Sequence, residues 1–363
     1  MKKILLLGGG KIGECIAAML SGTGDYSLVV ADRNPDMLKL VPDGGAGAPL
    51  EKRVLDVTDR AGLDYALAGV DTLISACPFD LNLGIAQAAA RAGVHYFDLT
   101  EDVATTRAIR ELAAGAGTAF MPQCGIAPGY ISTLAHDLAK RFETLEHIQM
   151  RVGALPLYPT NAFKYNLTWS TDGLINEYCN PCEVIHEGAP REVLPLGGLE
   201  EFSLDGVTYE AFNTSGGLGT LCDTLAGRVD FLDYKTVRYP GHCAAMRMLL
   251  RDLRLAERRD LLKDVLETAV PITKQDVVLA FVTISGMQGG RLTQESHAQK
   301  IYSGQVEGGG ETHFSAIQIS TAAGACAMVD LFHGGKLPQQ GFLRQEDATL
   351  SDFLANRFGR YYA

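Results

Sequence analysis

Six residues near the start of the chain, Gly8-Gly9-Gly10-Lys11-Ile12-Gly13, constrain it more than any other feature. They follow the apolar run Lys3–Leu7 and open a stretch with helical spacing, Gly13–Leu20. In this G-x-G-x-x-G spacing, Gly8 allows a tight turn and Gly10 lets backbone approach a pyrophosphate. Gly13 lets the helix lie close on the strand. The amides of Lys11 and Ile12 would open a helix whose N-terminus favours phosphate. Nineteen residues after Gly13, Asp32 ends the second apolar run, Ser27–Ala31. A carboxylate there can bind both ribose hydroxyls and repels a 2′-phosphate, so the pattern predicts NAD over NADP. The adjacent Arg33 pulls the other way, because it can turn toward a phosphate. Asp56 either reaches the adenine amine or caps the next helix. Cys77-Pro78 follows the fourth strand, where the chain passes under the nicotinamide ribose.

Up to about residue 125, short apolar runs (Thr72–Ser75, His95–Asp98 and Thr118–Met121 continue the series) alternate with Ala/Leu-rich stretches at Asp59–Ala68, Asn82–Ala92 and Asp102–Ala114. Such alternation predicts a doubly wound parallel sheet with right-handed crossovers. The texture changes after Pro122–Gly129. A helix at Tyr130–Phe142 precedes alternating strands at His147–Val152, Ala162–Leu167, Glu183–His186, Tyr209–Phe212, Val277–Ser285 and Ala298–Tyr302. Helices are expected at Thr171–Tyr178 and His242–Leu253. The expected fold class is α/β. An N-terminal Rossmann unit (1–125 and 313–363) carries an inserted α+β substrate and dimerisation domain (126–312) on a largely antiparallel sheet. Helices at Ile317–Phe332 and Ser351–Arg357 would return to the first unit.

Charge and composition exclude several functions. Forty-three acidic against 32 basic residues give a net charge of -11, which argues against binding nucleic acid or anionic lipid. The longest stretch free of Asp, Glu, Lys and Arg, Leu112–His136, is broken by glycines and prolines and does not read as a membrane span. The apolar run after Met1-Lys2-Lys3 is too short for a signal peptide. Eight scattered cysteines in a chain of 363 residues read as reduced thiols of a cytoplasmic protein. The lone Cys179-Asn180-Pro181-Cys182 lacks the second pair a structural zinc site needs, so no metal is expected.

In open α/β sheets the reacting site lies outside the carboxyl ends of the strands. That places Asp98 and Cys124 among the candidates. The plainer alternatives are a turn or helix cap for Asp98 and a small buried hydrophobe for Cys124. In the second domain, Asp233–His242 gathers Lys235, Arg238, Tyr239 and His242 within ten residues. Arg238 can grip a carboxylate with two hydrogen bonds, and His242 can exchange protons near neutral pH. A solvated loop with one salt bridge is the alternative. A second glycine-bearing segment, Asn213–Leu218, contributes Thr214.

The turn Gly8–Gly13 and the segments Gly125–Gly129, Thr214–Leu218 and Lys235–His242, in this order, resemble the saccharopine dehydrogenase-like family over about residues 3–335. Within it the chain looks most like the lysine 6-dehydrogenases, which are more compact than the glutamate-forming saccharopine reductases. The resemblance implies NAD(P)-linked oxidation of a carbon that bears an amine, here the ε-amine of L-lysine. The aldehyde product would cyclise to a piperideine carboxylate. It also implies that Asp98 and Cys124 line the substrate pocket and that Arg238 binds a substrate carboxylate. Cys77-Pro78-Phe79-Asp80 departs from the family's commoner form, which has Tyr after the proline. Hydride loss requires a neutral amine, so a base or a desolvating pocket must lower the amine's pKa. Asp98, His242 and Lys235 are the candidates, with Trp169 and Tyr239 walling the aliphatic stem. Saccharopine or carboxynorspermidine is the alternative substrate, a silent NAD-binding sensor the alternative class. A homodimer or larger homo-oligomer is expected.

Overall fold

A computed structural model describes residues 1–44 and 49–363. The chain divides into two compact units. One comprises Met1–Tyr130, Gly304–Phe314 and Gln318–Ala363, the other Ile131–Ser303 and Ser315–Ile317. The first unit therefore runs on to Tyr130 and resumes at Gly304, with packing as the reason. The Tyr130 ring lies 4.1 Å from that of Tyr362 and 5.2 Å from that of Phe353. Gly308 meets the first helix so closely that a Cβ there would lie 2.2 Å from the Ala18 carbonyl oxygen.

The first unit alternates as the pattern predicts: β1 (Lys2–Leu7), α1 (Lys11–Gly22), β2 (Tyr26–Asp32), α2 (Pro35–Leu40), β3 (Leu50–Val54), α3 (Arg60–Ala66), β4 (Thr72–Ser75), α4 (Phe79–Ala92), β5 (His95–Asp98), α5 (Val103–Ala113) and β6 (Ala119–Met121). The strands pair in parallel in the order β6-β5-β4-β1-β2-β3. Ile4–Leu7, Leu73 and Ile74 have no exposed surface, as expected of strands covered on both faces. Asn34, Asp59 and Asp102 cap α2, α3 and α5 by accepting from the amides of Asp36, Ala61 and Thr105. The order reverses between β1 and β4, which marks the crevice where such sheets bind ligands.

The second unit begins within α6 (Tyr130–Ala139). It continues through β7 (Thr144–Pro156), α7 (Thr171–Cys179), β8 (Cys182–His186), β9 (Ala189–Val193), β10 (Glu200–Leu204), β11 (Val207–Asn213), α8 (Leu221–Leu225), β12 (Val229–Arg238), α9 (His242–Arg247), α10 (Arg259–Ala269), β13 (Asp276–Gln288) and β14 (Arg291–Tyr302). Its sheet runs β10-β11-β12-β7-β13-β14, with the β8–β9 hairpin on β12. Every pairing is antiparallel except β12 with β7.

Two local expectations change. Residues 162–167 form no strand; the Asn161 side chain holds the backbone of Tyr165 at both its amide and its carbonyl, and only Leu167 bridges, to Ile272. The helix from His242 keeps α geometry to Arg247 and then widens into a π-helical turn, Met248–Asp252. After β14 the chain forms α11 (Ala316–His333), β15 (Gly341–Phe342), which extends the first sheet beside β6, and α12 (Leu350–Ala355). Buried Asp276 starts α11 by accepting from the amides of Ala316 (2.6 Å) and Ile317 (3.2 Å). Among the described residues no helix is long and apolar enough to cross a membrane.

Candidate functional site

The glycine turn has the shape that the spacing requires. Gly8 has φ +97°, where a side chain is strained. A Cβ on Gly13 would lie 1.8 Å from the Gly8 carbonyl oxygen, so only glycine lets α1 sit on this turn. Above Gly10 the space is open, and no side chain caps α1, which begins with Lys11 and Ile12. Asp32 is fixed beside the turn: its Oδ2 accepts from the Gly9 amide (2.8 Å) and its Oδ1 from the Asn34 amide (2.7 Å). These residues fit a dinucleotide, with amides toward the phosphates and a carboxylate toward a ribose. Exposed Arg33 makes no ion pair among the described residues. Asp56 accepts at Oδ1 from the Thr58 amide and hydroxyl, which hold its carboxyl below the usual range; it caps no helix, because Asp59 caps α3. Cys77 and Pro78 form the β4–α4 loop, where burial pushes the Cys77 thiol up to about 12.

Asp98 and Cys124 lie together at the carboxyl ends of β5 and β6. Both are fully buried, and the Cys124 amide donates to the Asp98 carbonyl at 2.8 Å. The Asp98 carboxylate is already occupied. Tyr96 donates to Oδ2 (2.7 Å), and the amides of Thr100 (2.9 Å) and Gln123 (3.0 Å) donate to Oδ1. Burial still pushes its carboxyl up to about 6. Asp98 thus ties the loops after β5 and β6 together. Cys124 donates through Sγ to the Met121 carbonyl (3.1 Å), and burial raises its thiol; it is a packed, protonated side chain. Glu101, which sequence reasoning passed over, follows β5 half-buried, and burial pushes its carboxyl up to about 7. Its only sequence signal is its place after a strand.

In the second unit, β12 carries its polar residues on opposite faces because side chains alternate along a strand. Arg238, 3% exposed, lies over the rings of Tyr165 (4.9 Å) and Tyr178 (5.9 Å). It donates through Nε to the Tyr178 hydroxyl (3.0 Å) and through Nη1 to the Val237 carbonyl (2.8 Å). The charge of buried Glu177, with the two tyrosine hydroxyls, acts on the Arg238 guanidinium and favours its charged form. His242 is buried beside it, Nδ1 3.0 Å from the Phe163 carbonyl and Nε2 3.2 Å from the Tyr178 hydroxyl. The carbonyl can only accept, so Nδ1 carries the proton and Nε2 accepts from Tyr178. Burial and the Arg238 charge push the His242 pKa down to about 3. Both ring nitrogens are thus engaged, one by the Phe163 carbonyl and one by the Tyr178 hydroxyl that also accepts from Arg238.

Two features hold this corner in place. Gly241, at φ +102°, turns the chain into α9. The buried Glu210 carboxylate of β11 accepts from the amides of Gly241 (2.8 Å) and Cys243 (2.6 Å), fixing the helix that carries His242. Thr214 faces the same side, its hydroxyl 2.9 Å from that of Thr236. A Cβ on Gly217 would lie 2.2 Å from the Tyr234 ring, so glycine lets that turn pack down.

Lys235 and Tyr239 are not brought to Arg238. Lys235 lies on the other face of β12, bonded to Glu200 (2.6 Å) and near Asp233 (3.7 Å); Arg151 pairs with the same two carboxylates. Tyr239 stacks on Tyr209 and donates to the Pro156 carbonyl (3.0 Å) among that face's apolar residues. Trp169 packs at the margin of the cluster that contains Tyr165 and Tyr178. All eight cysteines are free, Cys179 and Cys182 included. Among the described residues no three His, Cys, Asp or Glu side chains are placed to hold a metal.

Residues 4–121 match the family described as saccharopine dehydrogenase NADP binding domain, and residues 125–359 match the saccharopine dehydrogenase C-terminal domain. A saccharopine dehydrogenase [NADP(+), L-glutamate-forming] of Schizosaccharomyces pombe is 26% identical over 200 residues, 53% of this chain and 44% of that protein. The Saccharomyces cerevisiae protein of the same description is 25% identical over 196 residues, 52% of this chain and 43% of that protein. The matched region thus spans less than half the length of these curated relatives. Among solved structures, apo saccharopine dehydrogenase (L-Glu forming) from Saccharomyces cerevisiae superposes with a TM-score of 0.74 at 18% identity, covering 95% of this chain and 94% of that one. A homospermidine synthase from Legionella pneumophila in complex with NAD gives 0.66 at 12% identity, covering 99% and 89%. These two establish likeness of fold.

Proposed function

The chain belongs to the saccharopine dehydrogenase family, and we propose from that premise that it is an NAD-linked dehydrogenase that oxidises the amine-bearing carbon of an amino-acid substrate, with the ε-amine of L-lysine as the group oxidised. The observation that carries the reading is Arg238. Its guanidinium is buried over two aromatic rings and hydrogen-bonds a tyrosine hydroxyl and a backbone carbonyl, an environment in which a planar cation suits bidentate binding of a carboxylate. The substrate would bring that carboxylate.

When bound, the nicotinamide supplies the hydride acceptor. The chain's own residues do the rest. The Gly8–Gly13 turn and the start of α1 hold the phosphates, and Asp32 holds the ribose. Arg238, oriented by Tyr178 and His242, holds the carboxylate. Asp32 supports NAD because a 2′-phosphate would meet its fixed charge. The family description names NADP, and unpaired Arg33 is the residue that would accept such a phosphate. Compact length does not separate the lysine and saccharopine branches, since this fold covers 94% of a saccharopine dehydrogenase chain.

The test follows reduced nicotinamide with NAD or NADP and either L-lysine or saccharopine. Lysine-dependent reduction of NAD with ammonia release is expected. Turnover of saccharopine alone would replace the substrate, and tighter binding of NADP than NAD would overturn the role given to Asp32.

A further inference from the structure

Tyr96 and Asp98 lie two residues apart on β5, so the strand sends both side chains to one face. Neither has exposed surface. The Tyr96 hydroxyl has one proton to give, and it goes to Asp98 Oδ2 at 2.7 Å; the Asn82 carbonyl, at 3.4 Å, is too far for a bond of that quality. The tyrosine has little freedom to turn away. Its ring stacks on that of Phe120 at 5.7 Å, and Asn82, whose carbonyl it faces, is itself held by the Ser75 hydroxyl at 2.7 Å. An ionised carboxyl has about four acceptor positions. Among the described residues, the amides of Thr100 and Gln123 fill two on Oδ1 and Tyr96 fills one on Oδ2, so one position on Oδ2 remains.

We propose that Tyr96 is a positioning residue: it holds Asp98 ionised and leaves the open Oδ2 position to an N–H of the substrate. The reason lies in which form of the carboxyl the bond favours. Burial raises the Asp98 carboxyl, and its three donors pull it back to about 6. Two of those donors are backbone amides, so Tyr96 is the one supplied by a side chain. Without its hydroxyl the charged form lacks a bond, and a larger share of Asp98 is protonated near neutral pH. A fixed carboxylate favours the positive charge that develops on the substrate nitrogen as hydride leaves, so the inference rests on the proposed function for its substrate. Other titratable groups adjoin the pair. They are Glu101, which burial pushes up to about 7, and the thiols of Cys77 and Cys124, which burial keeps protonated.

Tyr96→Phe in the full chain keeps the ring and loses only the hydroxyl. Its melting temperature should fall below that of the wild type by a margin that widens from pH 5 to pH 8, as Asp98 ionises. In an Asp98→Asn background the margin should be the same at every pH; in a Glu101→Gln background it should still widen. With NAD and L-lysine, the acid limb of kcat should move up by about one pH unit, so the variant is roughly tenfold slower below the limb and equal to the wild type on the plateau. A merely structural hydroxyl would lower stability and kcat alike at every pH, and that result overturns the proposal. So does an unmoved limb in an active enzyme. If Asp98→Asn does not fold, the pH dependence of the margin in Tyr96→Phe alone decides. A widening margin in a protein that reduces no nicotinamide with lysine or saccharopine sinks the proposed reaction and leaves the hold of Tyr96 on Asp98 standing.

Discussion

His242 shows how burial changes the protonation of a histidine. Near pH 7 an ordinary histidine exchanges protons. Here burial and the adjacent Arg238 charge push the pKa down to about 3, and the Phe163 carbonyl fixes the tautomer. The consequence for stability has a definite sign. The folded pKa lies below the unfolded value of about 6.5. The stabilisation is therefore present above that value and is lost progressively as pH falls toward 3. Wild-type protein should lose melting temperature between pH 6.5 and 4. His242→Asn should melt lower at pH 7.5 but show a flatter dependence on acidification. Parallel pH profiles for the two proteins would reject the assignment. The sequence named Arg238 and His242 but not their relation, because that depends on Tyr178, 60 residues before Arg238, and Phe163, 79 residues before His242.

At the scale of elements, β12 separates what the sequence placed side by side. Lys235 and Arg238 lie three residues apart, so a strand sends them to opposite faces. Lys235 joins Glu200, Asp233 and Arg151, while Arg238 enters the aromatic cluster. The alternation is written in Asp233-Tyr234-Lys235-Thr236-Val237-Arg238, but the Tyr-Pro-Gly-His that follows reads as loop and masks it. The exposed, charged β9 and β10 were illegible for a related reason, since neither buries a continuous face. By contrast β1, β4 and β5 were legible because their burial comes from local apolar runs. The face assignment makes a prediction about Lys235→Met. Glu200 keeps Arg151, so the loss should be about 1–3 kcal/mol of stability, seen as a lower denaturant midpoint. Turnover and its pH profile should be unchanged. A lost basic limb in that profile would restore Lys235 as a proton carrier.

At the scale of the whole molecule, the first unit is assembled from both ends of the chain. The glycine turn, Asp32 and the parallel strands are legible because each is local, with strand, turn and helix adjacent in sequence. The closing layer was expected only from the tendency of late helices to return, and no local pattern marks Gly304 as the point of return. That layer is substantial. β15 pairs with β6, Gln345 donates to the Pro122 carbonyl at 3.0 Å, and Tyr362 packs on Tyr130 and donates to the Ser320 carbonyl at 2.5 Å. Dinucleotide binding should therefore depend on residues far from the glycine turn. A chain ending at residue 335 lacks β15, α12 and Tyr362. It should show no cooperative melting of this unit and no thermal shift with NAD. Tyr362→Phe removes one buried hydrogen bond, about 1 kcal/mol. It should keep the stabilisation, about 2.7 kcal/mol at a ligand concentration 100 times Kd. A truncated chain that still shifts with NAD would mean that the parallel strands and α1–α5 form a complete nucleotide unit without the C-terminal return.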